Sequence, residues 1–528
     1  MTQPSPTSAG VARPGGRIVT PDRRATRTGQ AVLDAGGSAV DAVIAASAVL
    51  CVVYPQNVTL GGDTWTLVAP PDGDPVAING TGRAPAGLSA ELLIEQGFTA
   101  VPGDGPHSIS VPGLVAAWGD LHRSWGRTPF AELIKSARDL AADGSPVAPA
   151  LARDLAGLAD VLIKDPGCAG VFFRDSVVLG EGDLLTLPAL AETLAELADL
   201  GPAALYGGDI GRRYADGLRH AGSMITIDDL ATHRTDRVIP LTLEFSGLQV
   251  STTPPSSQGF TLLKILRLMT ELGLDDPAAA DQAVAIMNAV GLAAQERDAL
   301  SGDPDFVEVD LEQVFCADRV GRQAAAIRDG RLPAESARGP WPPLGGDTIG
   351  IVSVDADGLW VSSVQSVAGT FGARVLEPST GILAHNRGSG FSLDRGRAGY
   401  LSGGRRPPHT LMPTLMRRNG RTVGAIATMG GHSQPFIVTQ VLSRILAGDH
   451  PQQAVAAPRW VVQRGTDRLT VLADERLDET VRSRLSDAVG TQTVIMNDNR
   501  LGHAQAIWTT ETPGELAWGS DPRADGAA

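Results

Sequence analysis

The longest apolar run of the chain, Ala42–Tyr54, limits the fold more than any other stretch. It lies in "GGSAVDAVIAASAVLCVVYPQNVTLGGDTWTLV" and is too short to span a bilayer. It is Ala-rich and apolar nearly all round, so as a helix it has to be buried. The chain must therefore assemble a core that can enclose a helix. Its 528 residues, 43% hydrophobic and 20% charged, supply the material.

The rest of the pattern predicts helices first and strands later. Residues 1–25, rich in Pro, Gly, Ser and Arg, read as an extended lead-in, followed by two helices broken at Gly36-Gly37. "NVTLGGDTWTLVAPPDGDPVAING" reads as strand, turn, strand, with Pro71-Asp72-Gly73 at the turn. From 113 to about 235, and again from 281 to 330, apolar residues recur at helical spacing. A tract dense in Pro and Gly then leads to strands at 349–355 and 359–366. A strand pair over 411–429 and a helix over 434–447 follow. Such an order predicts a layered α/β enzyme rather than a regular βαβ array.

A net charge of −15 argues against nucleic acid and anionic membrane as partners. Cys51, Cys168 and Cys316 stand far apart, with neither zinc-ligand spacing nor a disulfide framework. The N-terminus has no apolar signal core. The expectation is a cytoplasmic protein with no metal or organic cofactor.

The chemistry concentrates in "PLGGDTIGIVSVDADGLWVSSVQS", residues 343–366. No GxSxG, HExxH, Walker A or GxGxxG motif is present, so the candidate is a threonine. Thr348 begins a strand behind Gly345-Gly346-Asp347. One reading is a β-branched residue at a strand start. The other is a hidden N-terminus, exposed when the chain cuts itself at Asp347–Thr348. A mid-chain threonine hydroxyl is a poor nucleophile. At a chain start its own α-amine, with a pKa near 8, can serve as its base.

The surrounding blocks decide between these. "TIGIVSVDADGLWVSSVQSVAGTFG", "STGILAHN", "FSL", "RRPPHTLMPTL", "MGGHSQ", "AAPRW" and "GSDPR" follow one another from 348 to 523. Upstream, "SVPGLVAAWGDLHRSWGRTPF" and "PPSSQGFTLLKIL" complete the order. In this register the chain resembles the γ-glutamyltransferase family of N-terminal-nucleophile hydrolases over nearly its whole length. The resemblance implies an αββα sandwich and self-cleavage into a large region (26–347, behind the lead-in) and a small one (348–528). The two fragments stay together, with a dimer of such pairs as a further option. It implies an acyl-enzyme on Thr348, resolved by water or an amine. Ser366 falls where the family has a second threonine touching the nucleophile, although an ordinary strand hydroxyl reads the same. Gly430 and Gly431 fall on the Gly-Gly whose N–H groups stabilise an oxyanion, against a plain turn.

The departures gather at the substrate end. Gly390 replaces an acidic residue that pairs with the donor's α-amine, and Arg387 replaces a glutamine. His409-Thr410 replace two serines that grip the α-carboxylate, and Ala368 replaces an asparagine. Ile349 and Gly350 stand where Thr and His are usual. Arg83, in "GTGRAPAG", offers either a carboxylate anchor or a solvated loop arginine. Arg387 and Arg83 suit an anionic acyl group, since guanidinium grips carboxylates bidentately. The expected substrate is thus a small amide. γ-Glutamyl amides are the default, with an oxamate-like amide, an acylase substrate or a non-catalytic binding role as alternatives.

Overall fold

The structure, a computed structural model, describes residues 11–12, 15–330, 347–464, 469–496 and 498–526. Gly345, Gly346 and the Pro- and Gly-dense tract ahead of them lie outside those residues. In chain order the strands and helices that build the site are as follows. β1 is Val11–Ala12, β2 Arg17–Val19, α1 Ala39–Val53, β3 Asp63–Ala69 and β4 Val76–Gly80. β5 is Asp236–Val238, β6 Leu241–Phe245, β7 Leu248–Thr252, α2 Gly259–Leu272 and α3 Ala283–Leu300. β8 is Asp347–Val354, β9 Trp360–Ala368, β10 Thr414–Arg418, β11 Arg421–Met429, α4 Gln434–Leu446, β12 His503–Thr509 and β13 Leu516–Ser520.

Two antiparallel sheets result. One runs β2-β8-β9-β3-β4-β5 and the other β1-β13-β12-β11-β10-β7-β6. The lead-in therefore gives an edge strand to each sheet, and helix begins already at Arg23.

The period-2 alternation of strand side chains sorts the core into layers. On β8, Ile349 and Ile351 face α1 and the helices around it, in one cluster with Val43, Leu50 and Ile134. Val352 and Val354 face the other way, toward Ala425, Ala427 and Ile507 of the second sheet. The far face of that second sheet, with Val250, Met416, Ile426 and Ala506, packs on Leu262, Val290 and Phe436 of α2, α3 and α4. The order is helices, sheet, sheet, helices. The αββα expectation holds, and α1 is wholly buried, as its composition requires.

The sheets approach closely at Gly350, where an added Cβ would lie 2.6 Å from the Ala427 backbone. A side chain there would need the neighbouring backbone to shift, which accounts for glycine at this position. Among the described residues, no helix is long and apolar enough to cross a membrane.

Candidate active site

Thr348 shares the parity of Val352 and Val354, so its side chain enters the gap between the sheets at one end. It is paired with Ser366 on β9, and Ser366 is in turn paired with Asp63 on β3. Asp63 shares the parity of Trp65 and Leu67, which also lie between the sheets. Thr348, Ser366 and Asp63 thus form one row across three adjacent strands, each at most 1% exposed.

The pairing slips at the proposed cleavage point. Asp347 faces Ala368 and Thr348 faces Ser366, so Val367 is the extra residue of a β-bulge. The slip aims the Asp347 carbonyl back at the row. Ser366 Oγ donates to Asp347 O at 2.6 Å, while Thr348 Oγ1 donates to Ser366 Oγ at 3.1 Å. Ala368 N–H donates to the same Ser366 oxygen at 2.8 Å, from a left-handed backbone with φ +77°. Asn57 Nδ2 holds the Thr348 carbonyl at 3.1 Å. Thr348 Oγ1 and the Asp347 carbonyl thus share one hydroxyl. Burial pushes the Asp347 side chain up to about 7, even though Thr370 Oγ1 donates to it at 2.5 Å.

Asp63 gathers three of the substrate-end residues expected from sequence. It accepts from His409 Nε2 at 2.8 Å and from Arg387 Nε at 3.0 Å. Arg387 Nη2 adds a longer contact at 3.3 Å. Arg387 Nη1 donates to Thr410 Oγ1 at 3.2 Å. Burial alone would raise the Asp63 carboxyl. The Arg387 cation and the two histidines, His409 and His385, more than reverse this and hold it well below the usual carboxylate range. Burial, reinforced by the Arg387 charge, pulls His409 down to about 4, so it is neutral at neutral pH. Leu411 N–H donates to its Nδ1 at 3.3 Å, which leaves the proton on Nε2, facing Asp63.

Gly430 and Gly431 follow β11 directly. Ser362, paired with Val352, donates to Ile426 O at 2.9 Å, and Gly350 abuts Ala427. Walking back along β8 to Thr348 is therefore walking forward along β11 to Met429 and Gly430. Gly430 has φ +147° and Gly431 φ +53°, backbone that favours glycine. Among the described residues, neither glycine N–H donates to an acceptor. Gln258 ties this loop to the one before it, its Nε2 donating to both Thr410 O and Gly431 O at 2.8 Å.

Arg83 is engaged elsewhere. It pairs with Asp303 at 2.9 Å and Asp305 at 2.6 Å and donates to Gly404 O at 2.9 Å, which fixes the 301–306 loop. Arg387 is likewise no free cation, because Asp63 already occupies it. Sequence reasoning did not find Asp63, Gln258 or Asn57. Asp63 sits in "GGDTWTLV", which by itself reads only as the start of a strand, and it is strand parity and the distant Arg387 and His409 that bring it into the row.

A family model described as Gamma-glutamyltranspeptidase matches residues 25–528. This chain belongs to the gamma-glutamyltranspeptidase family. It is an enzyme of that family, a hydrolase of the N-terminal-nucleophile type. The glutathione hydrolase-like YwrD proenzyme of Bacillus subtilis is 34% identical over 97% of this chain and 97% of its own length. The oxamate amidohydrolase proenzyme of Klebsiella pneumoniae is 35% identical, over 97% of this chain and 98% of its own. The crystal structure of cephalosporin acylase from Bacillus halodurans superposes with a TM-score of 0.90 at 29% identity. That match covers 100% of this chain and 98% of the acylase.

Proposed function

We propose that this family member is a proenzyme that cuts its own Asp347–Thr348 bond and then uses Thr348 to cleave a small amide. The observation that carries the reading is the Ser366 hydroxyl, which joins Thr348 Oγ1 to the carbonyl oxygen of Asp347. Thr348 Oγ1 attacks the Asp347 carbonyl carbon, and Ser366 stabilises the charge that builds on the oxygen. The C–N bond breaks, the Thr348 nitrogen takes a proton, and an ester links the two residues. Water hydrolyses the ester, leaving Asp347 as one chain end and Thr348 as the other.

In the cut enzyme the Thr348 α-amine accepts the hydroxyl proton as Oγ1 attacks the amide of the donor. Gly430 and Gly431 N–H groups stabilise the oxyanion. The leaving amine departs with that proton, and water or a second amine releases the acyl group. Names among the relatives support this class of chemistry, since both the Bacillus subtilis and the Klebsiella proteins are called proenzymes.

For the acyl donor, γ-glutamyl amides are the first reading. An oxamate-like donor is the second, favoured by one observation. The place of an amine-reading acid is taken by Gly390, whose Cβ would lie 3.2 Å from Pro408 O, so the position is tight for a side chain. Hydrolysis of γ-glutamyl-p-nitroanilide and of oxamate, measured side by side, separates the two. Thr348→Ala should leave the chain uncut and inactive with either donor, and an uncut but active variant contradicts the mechanism.

A further inference from the structure

The Asp63–Arg387 pair raises a question that the mechanism leaves open. Arg387 is a cation at the Asp63 end of the row, yet Asp63 takes both its Nε and its Nη2. Asp63 lies two strand spacings from Thr348, about 10 Å, within reach of a short acyl chain carried on the nucleophile. His409 adds no charge in its neutral form and holds Asp63 in place through its Nε2 proton. The pair is therefore rigid, buried and neutral as a unit. Among the described residues, one further N–H on each Nη of Arg387 meets no acceptor.

We propose that Asp63 is a specificity-determining residue for the acyl donor, setting how much the pocket rewards a negative charge by cancelling Arg387. This rests on the reading of Thr348 as the nucleophile that carries the acyl group. An unpaired Arg387 would select strongly for an anionic acyl terminus. The paired one offers hydrogen bonds without net charge, so anionic and neutral termini of equal length compete on closer terms. Asp63 does not touch the reacting atoms and acts through the field it shares with Arg387.

The test compares kcat/KM for glutaryl-p-nitroanilide with that for pentanoyl-p-nitroanilide, two acyl groups of equal chain length that differ in a terminal carboxylate. Glutarate and pentanoate as competitive inhibitors give the same ratio at equilibrium. Asp63→Asn should raise the anionic-to-neutral ratio about tenfold, and Arg387→Gln should lower it about tenfold. The double variant, which keeps no unpaired charge and carries the test if a single variant fails to fold, should return to within about threefold of the parent. A merely structural pair would depress both donors alike, and a ratio unmoved in both single variants overturns the proposal. So does a double variant as low as Arg387→Gln, which would make Arg387 alone the reader of the acyl group. A denaturing gel separates this from failure of the underlying reading. The parent and all three variants should run as two fragments, whereas an uncut parent would refute the nucleophile itself.

Discussion

Replacing Ser366 by Ala removes the hydroxyl shared by Thr348, the proposed nucleophile, and the Asp347 carbonyl it is proposed to attack. The lost contacts are the 2.6 Å hydrogen bond to Asp347 O and the 3.1 Å one from Thr348 Oγ1. Deleting one donor aimed at a developing oxyanion costs about 10²–10³ in rate, about 2.7–4 kcal/mol of barrier. The variant should accumulate the uncut 54.8 kDa chain, and its conversion to two fragments should slow by that factor. Ser366→Thr, which keeps a hydroxyl there, should recover most of the rate. The Ala variant also leaves the Ala368 N–H without its acceptor, a cost of about 1–3 kcal/mol to stability. Thermal denaturation in a Thr348→Ala background isolates that part. The assay is a time course on a denaturing gel after purification under conditions that slow processing. A Ser366→Ala chain that cuts itself within about threefold of the parent rate would refute the assignment of the shared hydroxyl.

Burial, the largest cause in each case, lowers His233 and His432 to about 3 and His409 and His503 to about 4. The unfolded chain takes up these protons first, so their stabilisation is present above about pH 6.5 and lost as pH falls toward 4. Asp347 and Asp154, raised by burial to about 7 and about 6, and Asp525, also raised by burial, act oppositely, but they are three against four. The denaturation midpoint of uncut Thr348→Ala protein should therefore fall from pH 6.5 to 4, and a flat profile contradicts the buried neutral histidines. Gly350→Ala should cost about 1–3 kcal/mol by overpacking the gap against the Ala427 backbone, read as a lower denaturant midpoint at unchanged slope. Ala368→Gly should gain up to about 1 kcal/mol by relieving a left-handed alanine, provided the bulge is kept, and a lower melting temperature would argue against strain there.

The sequence made the local features legible and left the long-range ones hidden. The contact of Thr348 with Ser366 and the glycine turn at Gly430-Gly431 could be anticipated because each belongs to a short block whose order along the chain is informative. The buried helix was readable because an all-apolar surface leaves it no other place. The two-sheet layering was implied by the family resemblance alone, and the alternation on β8, with Ile349 and Ile351 facing one way and Val352 and Val354 the other, shows why the chain adopts it. The bulge at Val367 could not be read, because a register slip is a property of a strand pair rather than of either strand. The commitment of Arg387 to Asp63 and of Arg83 to Asp303 spans 324 and 220 residues of sequence, and no local pattern records such distances. A guanidinium in a motif reads as a free cation until the carboxylate that meets it is found.

Intact mass and N-terminal sequencing of the purified protein test the central claim most directly. The account predicts two associated chains, the second beginning Thr-Ile-Gly-Ile at position 348. An amide-hydrolysing protein whose backbone runs unbroken through Asp347–Thr348 would contradict it.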